Sequence, residues 1–256
     1  MALMKTSNPA LGDKTFSNLA RAQYGGFADE AGRMTLNGTV NKTGILLLCA
    51  IVTASWTWHL FLQSNDAMAV YPLMLIGLLG GFICALVTTF KKEWSPVTAP
   101  IYALLEGLAL GGISAAFDVR YHGIAIQAVS LTFGTLLILL LAYSSGWIKV
   151  TDKFRLGIVA ATGGIFVFYM LQMLLGFFGV HFAAINGAGT FGIGFSLVVV
   201  AIAALNLVLD FDFIERGVQV GAPKYMEWYG AFGIMVTLVW LYLEILRLLS
   251  KMNRRN

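Results

Sequence analysis

The residues of this chain that could do chemistry are ionisable and polar groups set in or beside long apolar stretches. Glu106 lies near the middle of one stretch. Asp210 and Asp212 follow directly on another, and Asn206 precedes Asp210 by one helical turn. Thr237 and Glu244 stand seven residues apart in the last stretch. Residues four or seven apart share a helix face. A charge at the bilayer centre costs roughly 2.5–3.5 kcal/mol on insertion scales, so each such acid needs a partner or a task. One task is a switch. A carboxylate that gains and loses a proton changes its hold on a neighbouring helix, and Lys91 or Lys92, ending a stretch on the same side as Asp210, could pair with it when ionised. A second task is ion transit. Ca²⁺ takes about 6–8 oxygen ligands. Asp210, Asn206 and one further acid are too few for a dedicated metal site and fit a weak transit site, which a conduction path needs. Against both stands a structural role: a snorkelling acid, or an ion pair that only fixes packing. For Asp212, two residues from Asp210 and so on another face, the structural alternative is a solvated loop acid.

Other chemistries find little support. Gly187 to Gly192 (GAGTFG) matches G-x-G-x-x-G, but a dinucleotide site needs a preceding strand. Here the match falls between two apolar stretches, and we expect a flexible outer turn. The histidines His59, His122 and His181 are scattered, and Cys49 and Cys84 sit inside apolar runs as small packing residues. There is no zinc-protease, serine-hydrolase or phosphate-loop motif, so we expect neither an enzyme nor a cofactor. The sequons at Asn37 and Asn41 fall on the side expected to be cytoplasmic.

The elements that must position these groups follow from composition. The 256 residues are 58% hydrophobic and 12% charged. A soluble core cannot hide that much apolar surface, so the lipid bilayer is the expected solvent. Seven apolar runs appear: Thr43–Leu62, Tyr71–Phe90, Val97–Phe117, Ile124–Tyr143, Leu156–Phe178, Phe191–Leu209 and Tyr229–Leu249. About 20 residues of helix cross a hydrocarbon core of ~30 Å, and lipid enforces helix because no water satisfies the backbone. The division expected is a polar N-terminal tail over 1–42, with a short helix around Phe16–Tyr24, a membrane domain over 43–249 and a basic tail over 250–256. No cleaved signal peptide is expected, since no short apolar run with a cleavage site precedes Thr43. The stripes Gly77–Gly81 and Gly107–Gly112 place small residues at i, i+4, which lets helices approach closely.

Charge placement sets orientation. With the N-terminus cytoplasmic, twelve Lys and Arg fall on inner segments and only Arg120 on outer ones before the last run. The four cations that close the chain, Arg247, Lys251, Arg254 and Arg255, are then outside, unless the last segment re-enters. Cations flanking apolar runs set topology; the net charge of +4 does not point to nucleic acid.

Three stretches carry a family resemblance. They are Glu106 to Ile113 (EGLALGGI), Ala128 to Thr132 (AVSLT), and Leu209 to Ile214 (LDFDFI) followed by Leu243 to Arg247 (LEILR). In order and spacing they resemble the Bax inhibitor-1/YccA-like family of transmembrane Bax-inhibitor-motif proteins, in its bacterial branch. Gly112 stands where the family pattern has proline. The resemblance implies an all-α integral membrane fold, a seven-helix bundle with six helices around a central seventh. It also implies a pH-sensitive calcium leak in a bacterial inner membrane. There, two aspartates on the last two helices share a proton and a basic residue ends the second helix. Asp210 takes the sixth-helix place and Lys91 or Lys92 the basic one. The second aspartate is replaced by Thr237, ten residues before Arg247, leaving open whether Glu106 or Glu244 approaches Asp210. The expected function is a cation leak gated by protonation at Asp210, with Asn206, Asp212, Thr237, Glu106 and Glu244 lining a polar seam. The alternative is a non-conducting, stress-related protein that docks on a membrane protease through its N-terminal tail. The sequence leaves the oligomeric state open.

Overall fold

The structure is a computed structural model that describes residues 32–64, 67–179 and 183–255. Its seven long helices are α1 (Leu36–Ser64), α2 (Ala67–Phe90), α3 (Ser95–Arg120), α4 (Ile124–Ser144), α5 (Asp152–Phe177), α6 (Thr190–Gln219) and α7 (Met226–Arg255). Each is long and apolar enough to cross a membrane. A 3₁₀ turn, Lys92–Trp94, joins α2 to α3, and one helical turn, Ala183–Asn186, precedes α6. Among the described residues there is no strand, only an isolated bridge between Arg33 and Pro223.

The last helix is the axis. In α7, 67% of the most apolar stretch is buried, against 11% in α5. It packs against α6, α1, α4 and α3, whereas α2 lies mainly on α3 and α5 on α6. The ring around α7 is therefore uneven, with α2 and α5 as an outer layer. Side chains such as Val52, Phe82, Ile138 and Phe166 point outward and stay exposed, as lipid-facing positions do.

Lipid tails are as apolar as leucine, so helices gain by close van der Waals packing rather than by leaving the solvent. The glycine stripes serve this packing. A Cβ on Gly107 would overlap Thr53 Oγ1 and the Ala50 carbonyl of α1, and one on Gly111 would overlap the Ala54 carbonyl. A Cβ on Gly77 would lie 2.5 Å from the Leu105 carbonyl of α3. Because a backbone carbonyl is among the obstacles at each of these glycines, they cannot all swing aside. Gly107→Val is expected to prevent α1 and α3 from closing and to give aggregated protein on size exclusion in mild detergent. Wild-type elution and thermal stability for that variant would refute the contact.

The helices run past the apolar stretches that announce them. Helix α1 starts at Leu36, seven residues before Thr43, because Thr35 caps it: its Oγ1 accepts a bond from the Gly38 N–H at 3.0 Å. Helix α6 continues ten residues beyond Leu209, and α7 reaches Arg255. Residues 36–42 and 250–255, expected in the polar tails, are helix. The short helix expected around Phe16–Tyr24 lies outside the described residues.

The last segment does not re-enter. It is one unbroken 30-residue helix, about 45 Å long. Its first turn meets the start of α1 through Glu227 and Lys42, and its last turns meet the start of α6 through Lys251 and Ser196. The G-x-G-x-x-G segment feeds the N-terminus of α6. Around it the Lys251 ammonium donates to the Ile185 carbonyl (2.7 Å), the Gly192 carbonyl (3.1 Å) and Ser196 Oγ (2.8 Å).

Candidate functional site

Helix α6 is the polar carrier of the bundle. Its lower half is buried on several sides, and each polar residue turns to a different neighbour. Asp210 is fully buried, and the Thr237 hydroxyl of α7 donates to its Oδ2 at 2.5 Å. Asp210 lies within the helix, two thirds of the way along it, not at a loop junction. One turn earlier, Asn206 donates from Nδ2 to Thr162 Oγ1 of α5 (2.8 Å) and to the Ile202 carbonyl (2.9 Å). Asp212 accepts from Arg155 of α5 at 2.7 Å and is bridged by Arg216 at 3.0 Å. It is an ion-pair centre that ties α5 to α6, not a solvated loop acid. Tyr143 of α4 donates to Glu215.

The remaining candidates fall into separate places. Glu106 is half-buried at the α2–α3 contact, where Tyr102 Oη donates to it at 3.3 Å and a Cβ on Gly81 would lie 3.4 Å from its Oε2. Glu244 is buried and held by Arg247 (3.0 Å) and by the Tyr169 hydroxyl of α5 (3.1 Å). It sits seven residues beyond Thr237, about 10 Å farther along α7. Neither Glu106 nor Glu244 takes the place opposite Asp210; Thr237 does. Lys91 is exposed, and the Lys92 ammonium lies 5.7 Å from the ring centre of Tyr229, about two turns from Thr237 on the same helix. The single seam expected from the sequence is thus several local contacts, of which Asp210–Thr237 joins the last two helices.

That contact defines what the site can do. An ionised carboxylate only accepts hydrogen bonds, whereas a protonated one also donates. Charge-assisted bonds are roughly twice as strong as neutral ones. Adding one proton at Asp210 therefore weakens a latch between α6 and the axial helix. Among the described residues, no three His, Cys, Asp or Glu side chains converge as a metal-binding group.

Two buried charge clusters escaped the sequence reading. Glu227, fully buried in the first turn of α7, accepts from the Thr35 N–H (2.9 Å) and Thr35 Oγ1 (2.8 Å), and pairs with Lys42 and with Lys224 (2.9 Å). A Cβ on Gly38 would overlap its carboxylate. Lys251 forms the second cluster at the opposite end of α7. At the Glu227 end, residues 32–34 are strapped to the α6–α7 loop, with Met34 N–H donating to the Ala222 carbonyl (2.7 Å) and Lys224 N–H to the Gly32 carbonyl (2.9 Å).

Helix α7 also has a second working face. Met235, Leu238, Val239 and Tyr242 recur at helical spacing, roughly opposite Thr237 at about 100° per residue. They border a cavity, and Tyr242 shares a 2.5 Å hydrogen bond with Ser114 of α3.

In comparisons with known proteins, a protein-family model described as Bax inhibitor 1 like matches residues 8–254. No curated protein and no solved structure matches the chain.

Proposed function

The chain belongs to the Bax inhibitor 1 like family, and on that premise we propose that it carries a cation leak, calcium included, controlled by the proton on Asp210. The observation that supports this reading is a fully buried carboxylate on α6 bonded to a hydroxyl on the axial helix. With Asp210 ionised, the latch holds α6 on α7 and the path is closed. With Asp210 protonated, the latch weakens and the two helices part. Asn206 and Asp210 offer a passing cation oxygen atoms one turn apart, in keeping with brief residence. The test uses the purified full chain in liposomes containing a calcium indicator. Influx above that of empty liposomes, rising as pH falls, is expected. No influx at any pH would sink the reading.

A second reading is that the protein does not conduct and instead modulates a membrane protease through its N-terminal segment. The strap between residues 32–34 and the α6–α7 loop favours it, because a partner pulling on that segment would act directly on α7. Absent flux, together with co-purification of a protease that is lost on deleting residues 1–31, would select it.

For location we propose a bacterial inner membrane, as the family resemblance implies, with the N-terminus cytoplasmic on the strength of the twelve-to-one cation bias before the last helix. Seven crossings put the two ends on opposite sides. A reporter at Met1 should read cytoplasmic and one after Asn256 extracytoplasmic. The same side for both would overturn the topology.

A further inference from the structure

The face of α7 turned away from Asp210 borders a cleft that gating does not use. It holds about 530 Å³ and is lined by Ser55 and Trp58 of α1, Ser114 and Asp118 of α3, Ile126 of α4 and Tyr242 of α7. From Tyr242 it continues into a narrower pocket of about 140 Å³ among Ala50, Leu110, Thr132, Met235 and Leu238. The gap exists because α4 packs on α7 and α6 while α1 packs on α3 and α7, so α1 and α4 stand apart. Its rim is Ile51 on α1 and Ile126 on α4, which are 49% and 71% exposed. The cleft therefore opens sideways, between two lipid-facing surfaces.

Its chemistry is asymmetric. The inner end is apolar. The other end carries Asp118, two residues before α3 stops at Arg120. Asp118 is half-buried and has no hydrogen bond or ion pair with any described residue. A partly buried acid without a partner costs free energy unless a cation meets it. Trp58 places an indole in the same lining, and indole rings attract ammonium groups.

We propose that this cleft binds a membrane phospholipid with an ammonium head. One acyl chain fills the apolar pocket, running past Ser114 towards Leu110, and the ammonium meets Asp118 and the Trp58 ring. The phosphate then lies at the membrane surface, where Arg120 ends α3. The volume falls within the ~300–1,000 Å³ usual for ligand pockets. Asp118 also repels lipids whose heads are only anionic, which provides selectivity. The site is independent of ion conduction, since it lies on the other face of α7.

The test is native mass spectrometry of the full chain equilibrated with mixed micelles holding equal amounts of phosphatidylethanolamine and phosphatidylglycerol. The net charge of +4 by itself favours the anionic lipid, so preference for the zwitterionic one reports a site. Several-fold more phosphatidylethanolamine than phosphatidylglycerol adduct is expected. Asp118→Asn should bring the ratio to one or below while retaining adducts. Val129→Trp, at a part-exposed position of α4 that lines both the cleft and its inner pocket, should remove both kinds while leaving the elution profile unchanged. The proposal is overturned if the wild type shows no preference or no adduct, if Asp118→Asn keeps the preference, or if Val129→Trp keeps wild-type adduct levels.

Discussion

Asp210→Asn is expected to flatten the pH dependence of calcium flux, leaving a leak near the wild-type acid value. Asparagine keeps the shape of the side chain and can still accept the Thr237 hydrogen, but it carries no charge at any pH. The charge-assisted latch between α6 and α7 is therefore lost permanently. A change of ~1–3 kcal/mol in a two-state gate corresponds to about 5–150-fold in open population, which sets the size of the pH response to be lost. Thr237→Asp is the counterpart. It puts a second carboxylate where a hydroxyl now bonds the first, so the two acids titrate as a coupled pair, one of them holding its proton to higher pH, and the pH dependence should be stronger. Thr237→Val, which removes the donor but keeps the shape, should raise the leak at alkaline pH. An unchanged pH profile for Asp210→Asn would mean that Asp210 serves packing alone.

A large loss of stability is also expected at Glu227, far from that latch. Glu227→Gln removes the charge that holds Lys42 and Lys224 and weakens the bonds from Thr35. The Lys224 pair contributes little, because its side chain is 49% exposed and pairs near the surface are screened. The Lys42 side chain is 17% exposed and its partner fully buried, so its loss dominates. Breaking a buried pair from one side costs ~3–5 kcal/mol, and partial exposure of Lys42 lowers that to about 2–4 kcal/mol. Thermal unfolding in detergent should show the loss. Lys42→Met combined with Glu227→Gln should be less harmful than the sum of the two, as coupled neighbours require. Additive losses would show that the pair does not hold α1 to α7. Gly38→Ala should act in the same direction, by displacing the carboxylate.

The seven helices were legible because each contains about 20 apolar residues, a signal that lipid makes compulsory. Their ends were not. Apolarity stops at the first charged residue, but Asp212 and Arg216 continue α6 by pairing with each other and with Arg155, and Lys42 continues α1 by pairing with Glu227. Thr237 was legible as the residue opposite Asp210 only by counting back from Arg247 in the family resemblance. Glu106 and Glu244 were read with it because hydropathy marks an acid as costly without saying which neighbour relieves it. Tyr102, Tyr169 and Arg247 do so here. Glu227 was missed for the reverse reason. Beside Lys224 and just past Pro223 it reads as a solvated loop acid, and what buries it is Gly38 and Thr35 on the first helix. Asp118 gave no signal, since nothing in its own stretch reveals a gap between α1 and α4.

That the axis of the bundle is its final helix bears on biogenesis. Six helices leave the ribosome and enter the bilayer first, four of them before the partner they share exists. Until α7 is inserted, the surfaces of α1, α3, α4 and α6 that will touch it face lipid or one another, and Asp210 waits without the Thr237 hydroxyl. The chain therefore cannot fold in the order of its synthesis. Local pairs such as α1 with α3 and α2 with α3 form early through their glycine contacts, and tertiary structure arrives in one late step when the last 30 residues cross. A chain stalled before Met226 would hold six inserted helices around a missing centre, with buried acids that membrane quality control can recognise.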